Sequence, residues 1–308
     1  MLELNISELK LDSPLILASG ILGVSYSTMK RLFDAGLGAI TTKSIGPRPR
    51  KGYKNPSIIE VNPGTFLNSV GLGNPGIDRF IMEIKEIKKF KFPLIVSVFG
   101  DTNDSYKEVA LKAEKAGADA IEINISCPHA EVSSIGIDKN LTFSTVKSMK
   151  EELRVPLFVK LNPNVTNLNE IALAAQNGGA DAVVAINTFT AMKVDINTKR
   201  PILSHGSGGL SGTAIHPIAI KKVYDLYKIL EIPIIGCGGV SNWEDVLEFI
   251  LVGASAVQIG TILYKGIEII PDIINGLKTY LKNNNFNSIS DLKGLAHDFK
   301  TQEAPDFD

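Results

Sequence analysis

Apolar and polar positions alternate over residues 2–12, where Leu2, Leu4, Ile6, Leu9 and Leu11 carry the apolar set, and this predicts a short hairpin. From Pro14 the period changes. The run Pro14-Leu15-Ile16-Leu17-Ala18-Ser19-Gly20 is continuously apolar and ends in small residues, the pattern of a strand buried on both faces. The same unit then recurs: an apolar run, a small or polar loop, an amphipathic helix. Further strands are predicted at residues 39–43, 94–99, 120–125, 157–161, 182–187, 232–236 and 256–260. Helices are predicted at residues 77–90, 104–116, 143–153, 169–177, 215–229 and 243–252. Ala116-Gly117-Ala118-Asp119-Ala120, Gly178-Gly179-Ala180-Asp181-Ala182 and Val252-Gly253-Ala254-Ser255-Ala256 mark three joints from helix to strand. At such joints glycine ends the helix left-handed and small residues allow a tight turn.

About eight strand-like runs separated by such joints predict an α/β fold, a (β/α)8 TIM barrel with a short N-terminal hairpin. A doubly wound sheet of similar length is the alternative. Two connections, residues 44–76 and 188–213, are unusually long and are expected to lie over the C-terminal face of the strands. No linker or shift in composition interrupts the chain, which predicts one domain over residues 1–299. Residues 300–308 are polar and aperiodic and are expected to fray.

Composition narrows the function classes. The 308 residues are 44% hydrophobic and 21% charged, enough for a large core. A formal charge of -1 gives no electrostatic footprint for nucleic acid or a membrane surface. The 2 cysteines, Cys127 and Cys237, cannot hold a four-cysteine zinc or iron–sulfur site, and such sparse usage fits a reducing compartment. Met1-Leu2-Glu3-Leu4-Asn5 lacks the basic start of a signal peptide and no apolar run is long enough to span a bilayer, so a cytoplasmic location is expected.

The stretch Ile121-Glu122-Ile123-Asn124-Ile125-Ser126-Cys127-Pro128 begins as a β-branched strand and ends in an amide, a thiol and a proline that cannot continue a ladder. Cys127 is therefore expected just past a C-terminal strand end, the edge where ligands bind in parallel α/β proteins. Against that stands the common role of cysteine as a small buried hydrophobe. The predicted rim holds Ser19, Lys43, Ser97, Asn124, Cys127, Lys160, Asn187, Thr188, Gly238, Gly239, Gly260 and Thr261. Amides, two lysines and a thiol, without histidine or carboxylate, disfavour a metal centre and a Ser-His-Asp triad. They suit a planar, partly anionic ligand with one group able to move a proton. Gly236-Cys237-Gly238-Gly239 and Gly260-Thr261 follow the last two strands, where backbone N–H groups often hold phosphate. The string Gly71-Leu72-Gly73-Asn74-Pro75-Gly76 matches G-x-G-x-x-G, but it follows no predicted strand closely and carries Pro75, which argues against a dinucleotide loop. Residues 206–212 read as a flexible loop on the ligand side.

Several motifs occur together and in order between Leu2 and about Phe299: Thr42-Lys43-Ser44-Ile45, Asn68-Ser69-Val70-Gly71-Leu72-Gly73-Asn74-Pro75-Gly76, Asn124-Ile125-Ser126-Cys127-Pro128, Val159-Lys160-Leu161, Ile186-Asn187-Thr188, Gly209-Leu210-Ser211-Gly212, and the two glycine segments above. In this combination the chain resembles the class 1 dihydroorotate dehydrogenases, particularly type 1B, whose catalytic flavoprotein works with an iron–sulfur subunit. Cysteine rather than serine at the base position separates this pattern from a related membrane-associated class.

The resemblance implies flavin mononucleotide (FMN) at the barrel mouth and oxidation of dihydroorotate to orotate in de novo pyrimidine biosynthesis. Cys127 would be the general base, taking the C5 proton while hydride leaves C6 for the flavin. Substrate contacts are implied for Lys43, Asn68, Ser69, Val70, Gly71, Leu72, Asn124, Asn187 and Thr188. Flavin contacts are implied for Ser19, Lys43, Ser44, Asn124, Lys160, Ile186 and Gly212, with Gly238, Gly239, Gly260 and Thr261 at its phosphate, and no metal. A partner subunit carrying FAD and a 2Fe-2S cluster is implied, with a homodimeric core or a heterotetramer. Two positions depart from the family pattern: His129 and Ser97 stand where Asn is common. Fumarate-linked and dihydropyrimidine-type flavin enzymes are rivals within the fold. A non-catalytic barrel binding phosphometabolites is the rival from another class, and it would hold no flavin and be indifferent to Cys127.

Overall fold

The structure, a computed structural model, describes residues 1–125 and 135–299. The expected cysteine base Cys127, the departure at His129 and the tail 300–308 lie outside the described residues. The hairpin is β1 (Leu4–Ile6) against β2 (Leu9–Leu11). Then follow β3 (Leu15–Leu17), α1 (Tyr26–Asp34), β4 (Ala39–Thr41), β5 (Ile58–Asn62), β6 (Thr65–Asn68), α2 (Ile77–Lys88), β7 (Leu94–Val98) and α3 (Asn103–Ala116). The middle of the chain forms β8 (Ala120–Asn124), α4 (Lys139–Lys150), β9 (Leu157–Lys160), α5 (Leu168–Asn177), β10 (Ala182–Ala185), β11 (Phe189–Ala191), β12 (Val194–Asp195), β13 (Arg200–Pro201) and β14 (Gly208–Gly212). The chain continues with α6 (His216–Tyr227), β15 (Ile234–Cys237), α7 (Trp243–Leu251), β16 (Ala256–Ile259) and α8 (Ile269–Asn283).

Strands β3, β4, β7, β8, β9, β10, β15 and β16 pair in parallel and close into a barrel, the last meeting the first through the register Val257–Leu15, Gln258–Ile16 and Ile259–Leu17. Alternation along each strand sends side chains to two places. Residues such as Leu17, Val96, Ile121 and Val159 face the helices. Ile16, Ile95, Phe158, Val184 and Ile235 fill the interior, which Ile6, Leu9 and Leu11 of the hairpin join from below. The floor is thus apolar and sealed.

The repeated Gly-Ala-Asp-Ala joints have a shared purpose. Asp119 accepts from Lys88 Nζ at 2.6 Å and from the Leu94 N–H at 2.8 Å. Asp181 accepts from Lys150 Nζ at 2.6 Å and from the Leu157 N–H at 2.7 Å. Each carboxylate ties the start of one strand to the neighbouring strand and to a helix. The glycine at the first joint, Gly117, has φ +114°, a conformation that favours its lack of a Cβ.

The long connections differ from expectation. They are not plain loops: β11, β14, β6 and β5 form a four-stranded sheet, so the two insertions fold against each other. Residues 206–212, read from the sequence as a flexible loop, include β14. Its glycines let it lie close to its neighbours, since a Cβ on Gly209 would come within 2.3 Å of Thr188 Oγ1. The string from Gly71 to Gly76 does follow a strand, β6, and it leads directly into α2. That strand pairs antiparallel with β5 and β14 outside the barrel, so it opens no βαβ dinucleotide unit. Helix α4 starts at Lys139, before the predicted 143, because Asp138 caps it by accepting from the Asn140 and Leu141 N–H groups at 2.8 and 2.9 Å.

Phe158 is fully buried in the barrel floor. Phe158→Ala should therefore lower the unfolding free energy by about 3–5 kcal/mol, the usual cost of such a cavity, as read from the denaturant midpoint.

Candidate active site

The described site residues expected on the barrel lie at C-terminal strand ends. Ser19 follows β3, Lys43 and Ser44 follow β4, and Asn124 and Lys160 are the last residues of β8 and β9. Ile186, Asn187 and Thr188 follow β10, Gly238 and Gly239 follow β15, and Gly260 and Thr261 follow β16. Parallel pairing with closure puts all these ends on one rim. Ser97 is the exception: it sits inside β7 and is fully buried, beneath the rim instead of on it.

A chain of polar contacts crosses the rim. Ser19 Oγ and Ser44 Oγ are 3.2 Å apart, and Ser44 Oγ lies 2.9 Å from Ser97 Oγ. Asn124 Nδ2 donates to Ser44 Oγ at 3.2 Å, and Asn187 Nδ2 donates to Asn124 Oδ1 at 3.3 Å. The end of β8 is held from outside by the Tyr106 hydroxyl, which donates to the Asn124 carbonyl at 2.8 Å. Asn187 Oδ1 in turn accepts from the Thr188 N–H at 2.9 Å.

The insertion sheet brings the second group of expected residues over this rim. Asn68, at the end of β6, donates through Nδ2 to the Gly209 carbonyl at 3.2 Å, and Gly209 abuts Thr188. Ser69, Val70, Gly71 and Leu72 continue from it. Ser69 Oγ is buried without a hydrogen-bond partner. Leaving a buried hydroxyl unpaired has a free-energy cost. Asn74 holds the following turn by accepting from the Gly46 and Gly76 N–H groups at 3.2 and 2.8 Å.

On the opposite side, glycines make a backbone cradle. Gly239 has φ +73°, and a Cβ there would lie 2.6 Å from His216 Cβ and 2.8 Å from the Gly212 oxygen. Gly212 and Gly239 are thus brought together, with His216 behind them. His216 Nδ1 is 3.1 Å from the Gly238 carbonyl and Nε2 is 3.0 Å from Glu248 Oε2. Glycine turns at the end of a strand are a common setting in which backbone N–H groups hold an anionic group.

Two lysines serve the rim differently. Lys160 is 5% exposed; its Nζ donates to Gln258 Oε1 at 2.5 Å and to Cys237 Sγ at 3.1 Å. Lys43 is half-buried, and burial pushes its ammonium below the usual lysine range.

The sequence reading missed Glu122, Gln258 and His216. The first two had a signal: in Glu122-Ile123-Asn124 and Val257-Gln258-Ile259 a period of two places them inside a barrel. His216 had none, because only the fold brings it to the glycine turn.

The family model for dihydroorotate dehydrogenase matches residues 1–281. A dihydroorotate dehydrogenase B (NAD(+)) catalytic subunit from Pyrococcus horikoshii is 46% identical, covering 96% of this chain and 98% of that protein. The catalytic subunit of the same name from Methanocella arvoryzae is 47% identical over 95% of this chain and 97% of its own length. A crystal structure of DHODH in complex with ferulenol from Eimeria tenella superposes with a TM-score of 0.85 at 24% identity, covering 96% of this chain and 88% of that one, a likeness of fold.

Lys43 gives a measurable signature. With its folded pKa depressed, the cost of burying its charge is fully present at neutral pH and is relieved as pH rises toward the unfolded lysine value, so the unfolded state binds more protons in that window and stability rises with pH. The stability advantage of Lys43→Met over the wild type should accordingly shrink between neutral pH and about pH 10.4. Thermal unfolding of both proteins across that range checks it, and a pH-independent difference would contradict the assignment.

Proposed function

The chain belongs to the dihydroorotate dehydrogenase family and oxidises dihydroorotate in pyrimidine biosynthesis, and within that activity we propose that it is the FMN-binding catalytic subunit of a type 1B enzyme with Cys127 as its base. The observation that carries this reading is the hydrogen-bonded run Ser19–Ser44–Asn124–Asn187 across four strand ends, with Lys160 in register beside Asn124. The residues present fit the cofactor. Gly212, Gly238 and Gly239 contribute backbone and no side chains of their own to the turn that would hold the phosphate, and Gly260 and Thr261 would complete the cradle. Ser19, Ser44 and Ile186 would line the ring system, and Lys160 would meet its pyrimidine edge.

The bound flavin supplies a two-electron acceptor for the hydride that leaves C6 of dihydroorotate. The rest is done by the chain. Cys127, as thiolate, takes the C5 proton, so that the C5–C6 bond becomes double and orotate is released. Lys43 would pair with the substrate carboxylate, while Asn68, Asn124, Asn187 and Thr188 would hold the ring amides and the backbone of 69–72 would close over them. Ser69, with its unpartnered hydroxyl, is ready to accept such a contact. Positioning of this kind places the C5 proton within reach of one base.

The name catalytic subunit borne by the relatives implies a second subunit. We assign it FAD and a 2Fe-2S cluster, since this chain has 2 cysteines and its described residues form no βαβ dinucleotide loop. The NAD(+) type of the relatives favours this route over a fumarate-linked one. No helix among the described residues is long and apolar enough to cross a membrane.

Two experiments test the reading. Cys127→Ala should retain flavin and orotate binding yet reduce the flavin about 10²–10⁴-fold more slowly with dihydroorotate; stopped-flow rates equal to wild type would remove Cys127 as base. The isolated chain should oxidise dihydroorotate with an artificial dye but reduce NAD only when co-expressed with its partner. Equal NAD turnover by the chain alone would refute the two-subunit route, and turnover with fumarate instead would move the chain to the fumarate-linked branch.

A further inference from the structure

Below the rim the barrel holds a carboxylate that the reaction above does not use. Glu122, in the middle of β8, is fully buried. Its Oε2 accepts from Gln258 Nε2 at 2.6 Å, and its Oε1 is buried without a hydrogen bond of ordinary geometry. Gln258 Oε1 accepts in turn from Lys160 Nζ at 2.5 Å. Chemistry fixes the orientation of that amide. An ammonium has only donors, so it must face the amide oxygen, and the amide NH2 is left to face the carboxylate. Glu122, Gln258 and Lys160 therefore form a directed relay from the barrel interior to the rim.

We propose that Glu122 is the counter-ion of Lys160, acting through Gln258 as a positioning residue that fixes the lysine head and sets the net charge a reduced flavin meets at the barrel mouth. The assignment rests on the flavin reading above. A carboxylate wholly removed from water is tenable only with a charge partner and hydrogen bonds. Burial is the largest influence and holds the Glu122 carboxyl above the usual range, while the Lys160 charge and the Gln258 and Ser97 side chains offset part of that rise. Thr41 Oγ1, 3.4 Å from Gln258 Nε2, is a neutral neighbour, and Cys237 is the other titratable group hydrogen-bonded into the network. A lysine at the ring edge stabilises negative charge on the reduced flavin. An ionised Glu122 behind it offsets part of that effect. The two charges must then act with opposite sign on the same equilibrium, which a packing role for Glu122 does not require.

The test uses the full-length FMN-loaded chain and the variants Glu122→Gln, Lys160→Met and the double variant. The Glu122→Gln change is isosteric, since the new amide oxygen can keep the hydrogen bond from Gln258. Spectroelectrochemistry should find the flavin midpoint potential raised in Glu122→Gln, lowered in Lys160→Met, and intermediate in the pair. An unchanged or lowered potential in Glu122→Gln with flavin bound overturns the proposal. A second readout does not involve flavin. At neutral pH Lys160→Met leaves the carboxyl without a counter-charge, so its Tm should fall, and adding Glu122→Gln should recover most of the loss. No recovery in the double variant overturns the pairing. Should the Glu122→Gln proteins fail to fold, Lys160→Met alone decides, because its Tm deficit should widen as pH rises above the ordinary glutamate range; a constant deficit overturns the proposal. If the wild-type chain binds no flavin, the flavin reading fails while the Tm cycle still decides whether the ion pair exists.

Discussion

Closure of the barrel between β16 and β3 is the constraint on which the rest depends. The Ala18 N–H donates to the Ile259 carbonyl and the Val257 N–H to the Pro14 carbonyl, both at 2.8 Å, so the first and last strands of the barrel complete each other's ladders. An open sheet of these strands would leave two unpaired edges. Closure also has a functional consequence. With all strands parallel, every C-terminal end faces the same way, and residues as distant as Ser19, Asn124 and Gly239 come to one rim. The strands are short, so few interior layers exist: an apolar floor, and above it a polar layer that includes Thr41, Ser97, Glu122, Lys160 and Gln258.

That polar layer opposes stability taken alone. Each buried charge or hydroxyl there gives up hydration, and only complete pairing offsets the loss. Most of the layer is paired, through Ser44 with Ser97 and through Gln258 with both Glu122 and Lys160. Stability is supplied instead below and around it, by the hydrophobic floor and by the Asp119 and Asp181 clamps that fix the strand starts. The division is spatial. The N-terminal face of the barrel holds the fold together and the C-terminal face is given to chemistry.

Much of this was legible in the sequence because the barrel is a repeat of local signals. Continuous apolar runs, glycine joints and amphipathic helices each report on a few adjacent residues, and the predicted strand cores agree with β3 through β16 at nearly every barrel position. The insertion sheet was not legible, since β6 pairs with β14 some 140 residues later and β14 is glycine-rich, with little strand propensity of its own. The rim list was readable for the same reason as the strands. Its errors came from treating strand ends as a flat edge: Ser97 lies a layer down, and Glu122 was passed over although Asn124, two residues on and therefore on the same side of the strand, had been placed on the rim. The departure at Ser97 now has a physical setting, since a serine there reaches Ser44 and lies in register with Glu122.

The two lysines show how one charge type serves two ends in the same cleft. Lys160 is anchored: Gln258 and Cys237 take its hydrogen bonds, and its side chain is nearly inaccessible. A group held so firmly provides a fixed field, suited to a resident ligand that changes charge without leaving. Lys43 is held below the usual lysine range by burial, and no carboxylate among the described residues offsets it. In the proposed function an incoming substrate carboxylate would offset that cost of burial. Within the proposed function this assigns the anchored lysine to the cofactor and the uncompensated one to the substrate. The assignment follows from how each charge is paired, independently of the motif in which each lysine stands.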